Sequence, residues 1–145
     1  MSRRAFARVR AQRDESGAAA LEFALVVPIL LMIVFAIISY GYMFSVRQAL
    51  TQAAAEGARA AAVSTPSTQA ATNATAAVNS ALSSLSLTCG SGGLTCTPTT
   101  ITCGSATCMK VTVSFAYRAH NPLPNLLPSA MIPTNLSFSS TAQVN

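Results

Sequence analysis

Gly17-Ala18-Ala19-Ala20-Leu21-Glu22-Phe23 runs directly into Ala24-Leu25-Val26-Val27-Pro28-Ile29-Leu30-Leu31-Met32-Ile33-Val34-Phe35-Ala36-Ile37-Ile38, and this stretch decides the fold. From Phe23 to Ile38 no side chain carries a polar atom, and the apolar character continues past Tyr40 and Tyr42 to Phe44. As helix that is roughly 30 Å at about 1.5 Å per residue, enough to cross a bilayer. One carboxylate, Glu22, sits a single turn inside the apolar edge, where an ionised group is costly unless it reaches headgroups or a partner. Pro28 lies within the same run, leaves the Ala24 carbonyl without its usual donor and is expected to bend the axis.

The composition bounds what this span belongs to. With 145 residues, 51% of them hydrophobic and 9% charged, the chain is too apolar to be disordered, and much of the apolarity is concentrated in one helix. The net charge of +5 does not point to nucleic acid, since five of the nine basic residues (Arg3, Arg4, Arg8, Arg10 and Arg13) precede the span. Basic residues crowded on one flank mark the cytoplasmic side, so the N-terminus is expected inside and the remainder outside. A cleaved secretory signal is the competing explanation, with Ser39 and Gly41 as a weak cleavage site, but its apolar region is normally about 7 to 15 residues.

The basic leader ends at Gly17, and Glu22 is the fifth residue beyond it. This arrangement resembles the processing site of type IV pilin-like precursors, in which a membrane-embedded prepilin peptidase cuts after the glycine. The resemblance implies cleavage between Gly17 and Ala18, with Phe23 opening the mature apolar helix. It also implies that Glu22 pairs with the new terminal amine of a neighbouring subunit and sets helix register, opposite charges offsetting a desolvation cost neither bears alone. The residue-level alternative is an acid that snorkels to the interface.

Beyond the aromatic cluster Tyr40, Tyr42 and Phe44, which suits an interfacial belt, Arg47 to Ala62 is built mostly of good helix formers. Val46, Ala49, Leu50, Ala53, Gly57, Ala60 and Ala61 fall on one face. Ala53, Gly57 and Ala61 have the spacing of tight helix contacts; they face either a partner in an assembly or the chain's own globular part. Glu56 and Arg59 are expected to form a solvated pair. The order of the Gly-Ala-Ala-Ala-Leu-Glu-Phe-Ala-Leu start, Pro28, Arg47-Gln48-Ala49-Leu50 and Ala54-Ala55-Glu56-Gly57-Ala58-Arg59-Ala60-Ala61 resembles the TadE-like family over about 16–63. These are pseudopilin or minor pilin components of the Tad machinery that builds Flp-type adhesive pili. One departure is Ile38-Ser39-Tyr40-Gly41, where many relatives carry a second acid.

Thr65 as cap and Pro66 at the first helical position predict a second helix over about 66–84, its stripe formed by Ala70, Ala74, Ala77, Val78, Ala81, Leu82 and Leu85. A flexible Ser/Thr/Ala-rich linker is the alternative. Met109, Val111, Val113, Phe115 and Tyr117 alternate with polar residues and predict a strand, and a final strand is expected over 135–144. Between them Pro122, Pro124, Pro128 and Pro133 imply an irregular apolar connection.

The four cysteines, Cys89, Cys96, Cys103 and Cys108, lack Cys-x-x-Cys spacing, and His120 is remote, so disulfides are expected rather than zinc. Of three possible connectivities, we expect Cys89 with Cys96 and Cys103 with Cys108, each closing a short Gly/Ser-containing turn. Staples suit a head of this size, which buries little core.

After Glu56 the chain has no Asp or Glu. That removes carboxylate dyads, carboxylate metal sites and an acid to orient His120 in a triad, and Gly90-Ser91-Gly92-Gly93 is not placed as a phosphate loop. We therefore expect no enzyme, cofactor, metal, nucleic acid or small-molecule substrate. The expected fold is α+β and type IV pilin-like: a leader (1–17), a transmembrane helix (18–46), its extension (47–64), and an exported domain (65–145) with a second helix and a small antiparallel sheet. The resemblance implies a single-pass protein of the inner membrane, its head outside, with prepilin peptidase, other pilin-like subunits, Tad inner-membrane assembly proteins and the lipid bilayer as partners. A single-pass anchored binding module and a minor pseudopilin of a type II-like secretion system are the alternatives.

Overall fold

The structure, a computed structural model, describes residues 3–123 and 128–144, with side chains from Gly17 onward. The chain divides into two compact units, Met1–Ser39 and Tyr40–Asn145.

The described residues of the first unit are all helical, the N-terminal part of α1, Arg3–Ala62. The helix begins at Arg3, within the basic leader. No Pro or Gly interrupts the leader before Gly17, and adding residues to an existing helix avoids the cost of a new nucleus. The leader's arginine side chains lie outside the described residues. α1 runs on through Pro28, and the large apolar side chains from Leu21 to Ile38 stay exposed.

The second unit opens with the end of α1. Met43, Val46, Leu50, Ala53, Ala54, Ala58 and Ala61 recur at helical spacing and are buried in one core. Against them lie Ala70, Ala74, Val78 and Leu82 of α2, Ala70–Ala81, and its C-terminal turn. The stripe read from the sequence is therefore a packed helix, not a linker. Its start differs from expectation: Pro66 is extended (φ −74°, ψ 158°), the first turn is 3-10 over Ser67–Gln69, and no side chain caps it. The join is made by Ser64 instead, whose hydroxyl donates to the Ala60 carbonyl (2.7 Å) and accepts from Asn73 Nδ2 (2.9 Å).

Three antiparallel strands complete the core, in the order β1 (Leu94–Cys103), β2 (Ala106–Phe115) and β3 (Leu136–Gln143). Pairing of Leu94 with Phe115 and of Phe115 with Leu136 sets the register. Val111, Val113 and Phe115 consequently face the helices, while Thr95, Thr97, Thr99, Ser137, Ser139 and Thr141 face outward and are exposed. β1, which the sequence reading does not include as a strand, has Pro98 near its centre. Its place at the sheet's edge is one of the few that tolerates proline. β2 ends at Phe115, and Tyr117, expected within it, opens the short helix α3, Tyr117–His120, where it is buried. Of the apolar connection, 124–127 lie outside the described residues; Ser129–Met131 forms a 3-10 turn.

Both cysteine pairs are joined as expected. Cys89–Cys96 (Cα separation 5.4 Å) ties the segment after α2 to β1, and Cys103–Cys108 (5.9 Å) closes the β1–β2 hairpin. The hairpin loop is Gly104-Ser105, and Gly104 has φ +68°, a conformation that disfavours any side chain.

Candidate processing and assembly site

Gly17, Ala18, Glu22 and Phe23 lie consecutively along α1, and all four are exposed. A side chain built at Gly17 would meet nothing within 4 Å. Helical spacing stacks Ala18 under Glu22, one turn apart on the same side of α1. Glu22 has no ion-pair partner among the described residues, where the salt bridge is Arg59–Glu56 at 3.9 Å, on the exposed surface. Pro28 is six residues further on, within the exposed apolar surface.

The segment Gly17–Ala62 contains a window of mean hydropathy 2.9, none of it buried. A soluble core helix of this composition would be covered by its own protein. This one is bare, consistent with membrane anchoring.

Ala53, Gly57 and Ala61 are placed elsewhere. They are buried beneath the chain's own α2 and β2: a Cβ on Gly57 would lie 2.8 Å from Val78 Cγ2, 3.1 Å from Val111 Cγ1 and 3.2 Å from the Ala74 carbonyl oxygen. The close approach read from the small-residue spacing is thus made, and within the head. Glu22 and these three residues fall in different compact units.

Arg47 lies with its guanidinium 5.9 Å from the Phe44 ring and 5.7 Å from the Phe138 ring. Sequence patterning missed the Phe138 contact, since it joins residues 91 positions apart. His120 sits over Gly93 and near Phe115, with ring centroids 6.2 Å apart, and its Nδ1 is 3.2 Å from the Ala116 carbonyl. Burial, with the neighbouring Tyr42 second, pushes the Tyr117 phenol pKa up. All four cysteines are in disulfides.

A bare apolar N-terminal helix that carries, on its C-terminal third, a small stapled α+β head with a three-stranded antiparallel sheet is a pilin-like arrangement. Residues 17–59 match the model of the TadE-like protein family, so that segment is similar to that family. The match begins at Gly17 and includes Glu22, Pro28 and Gly57. No curated protein and no solved structure matches the chain.

Proposed function

We propose that this protein is a TadE-like pseudopilin or minor pilin. In this proposal it is a non-catalytic membrane-anchored subunit that takes part in assembling Flp-type adhesive pili, matured by a prepilin peptidase between Gly17 and Ala18. The observation that carries the proposal is a family match opening on Gly17, followed at Glu22 by an exposed acid on a bare apolar helix. In hydrocarbon that carboxylate is costly unless answered by a cation. Removal of the leader supplies one, the amine of Ala18, on every copy. Lateral packing of helices with Glu22 of one copy against the Ala18 amine of the next satisfies both charges and fixes the stagger between copies. The head, stapled and poor in carboxylates, stays on the far side of the inner membrane from the leader and offers no group that requires a cofactor.

Intact-mass measurement of the protein extracted from its native membrane tests the maturation. The expected product lacks residues 1–17 and begins at Ala18, and Gly17→Arg leaves the chain at full length. A native chain that keeps Met1 refutes processing and leaves the single-pass anchored module. Glu22→Gln is expected to be recovered from the membrane but lost from assembled fibres; unchanged fibre production with this variant refutes the register role.

A further inference from the structure

Tyr40 follows directly on the uncharged run 23–39 and is the first residue of the head unit. Its hydroxyl donates to the Met131 carbonyl at 3.3 Å, which brings the Ser129–Met131 turn beside Tyr40. The turn is held from its other side as well. Arg118 donates from its guanidinium to the Ile132 carbonyl, with Nε at 3.1 Å, and from its backbone N–H to the Thr134 carbonyl. The two adjoining apolar side chains are divided by this fixation: Ile132 is 8% exposed and in the core, whereas Met131 is 56% exposed. Met131 is thus an exposed methionine whose segment is fixed by hydrogen bonds from Tyr40 and Arg118, and nothing among the described residues of the head covers it.

The surroundings identify what covers it. From Asn121 to Asn145 the chain has no charged side chain, and the one charge on the turn, the Arg118 guanidinium at the Ile132 carbonyl, belongs to an exposed side chain that can keep its charge toward water while the turn enters a less polar medium. One helical turn beyond Tyr40, Phe44 is 60% exposed, and Arg47 follows beside it. Apolar span, tyrosine, phenylalanine and then arginine is the order in which hydrocarbon, interface and phosphate are met on leaving a bilayer. Met131 lies at the tyrosine level of that series.

We propose that the Ser129–Met131 turn is a second membrane contact, seating Met131 in the bilayer interface beside Tyr40, so that the head is held to the lipid surface at a point separate from its helix. The inference rests on α1 spanning the membrane, as the proposed function requires.

The chain has no Trp, so single tryptophans report position without a background. The full chain, reconstituted in phosphatidylcholine vesicles, is compared as Met131→Trp, as Ile33→Trp within the span, and as Thr97→Trp on the outer face of the sheet. With lipids brominated near the headgroup end of the acyl chain, Met131→Trp is expected to lose about half or more of its emission and to emit to the blue of Thr97→Trp, as an interfacial indole does. Ile33→Trp is quenched by lipids brominated deeper, and Thr97→Trp by neither. If Ile33→Trp is quenched while Met131→Trp behaves like Thr97→Trp, the second contact is refuted and the span stands. If Met131→Trp is blue-shifted but untouched by bromine, a protein covers the turn and the proposal is equally refuted. If Ile33→Trp is also unquenched, the spanning helix fails and the inference falls with it.

Discussion

Gly57→Ala is a replacement that helix propensity favours and that this structure opposes. In an exposed helix interior the change is worth about 1 kcal/mol in favour of alanine. Here the new Cβ would lie 2.8 Å from Val78 Cγ2, 3.1 Å from Val111 Cγ1 and 3.2 Å from the Ala74 carbonyl oxygen. None of the three yields easily. Val78 and Val111 are β-branched, stiff at χ1 and buried, and the Ala74 carbonyl belongs to the backbone of α2. Overpacking of this kind costs about 1–3 kcal/mol, so the net expectation is a loss of about 1 kcal/mol, or roughly 5 °C in Tm for a unit of this size. Thermal unfolding of the full chain in detergent, followed by near-ultraviolet circular dichroism, measures it. Ala55→Gly at the exposed neighbouring position supplies the propensity difference in the same helix. Gly57→Ala should lower Tm although Ala55→Gly lowers it too. If Gly57→Ala instead raises Tm by as much as Ala55→Gly lowers it, the tight contact between α1, α2 and β2 does not exist.

Three further outcomes follow from the head. Each disulfide closes a short loop, with sequence separations of 7 and 5, for which chain entropy alone gives about 2 kcal/mol. Replacing Cys89 and Cys96 by Ala should nonetheless lower Tm more than the same change at Cys103 and Cys108, where the Gly104-Ser105 hairpin already fixes the strand ends. Arg118→Ala should accelerate amide exchange at Met131 and Ile132, read by mass spectrometry, without changing exchange in β2; Arg118→Lys, which lacks the planar fork, should not restore protection. The raised pKa of Tyr117 means that the folded head keeps this phenol protonated to higher pH than the unfolded chain does. Its contribution is fully present below the ordinary tyrosine range and is lost as pH rises through the raised value. An alkaline unfolding titration should therefore show a decline that Tyr117→Phe reduces.

What the sequence determined by itself is the part governed by local rules. A run of side chains without polar atoms needs no knowledge of the rest of the chain to be read as a span, because its requirement is for lipid and for internal backbone hydrogen bonds. The same holds for the alternation that marks β2 and for cysteine pairs that each close a few residues. The helical stripe from Ala70 to Leu82 was legible for the same reason. Tertiary structure decided whatever depends on which surfaces meet. Ala53, Gly57 and Ala61 show the same small-residue spacing whether they face a partner or the chain's own α2, and only the placement of Val78 and Val111 over Gly57 distinguishes the two. β1 carries Pro98, which counts against a strand until an edge position is available. Tyr117 looks like the next inward residue of β2, yet the ladder to β3 begins at Leu136 opposite Phe115, and beyond that pair no strand among the described residues holds it extended. The contact between Tyr40 and Met131 spans nearly the whole head in sequence, and no periodicity carries information over that distance. Local propensity is written residue by residue, whereas the pairing of distant surfaces emerges only when the chain has closed on itself.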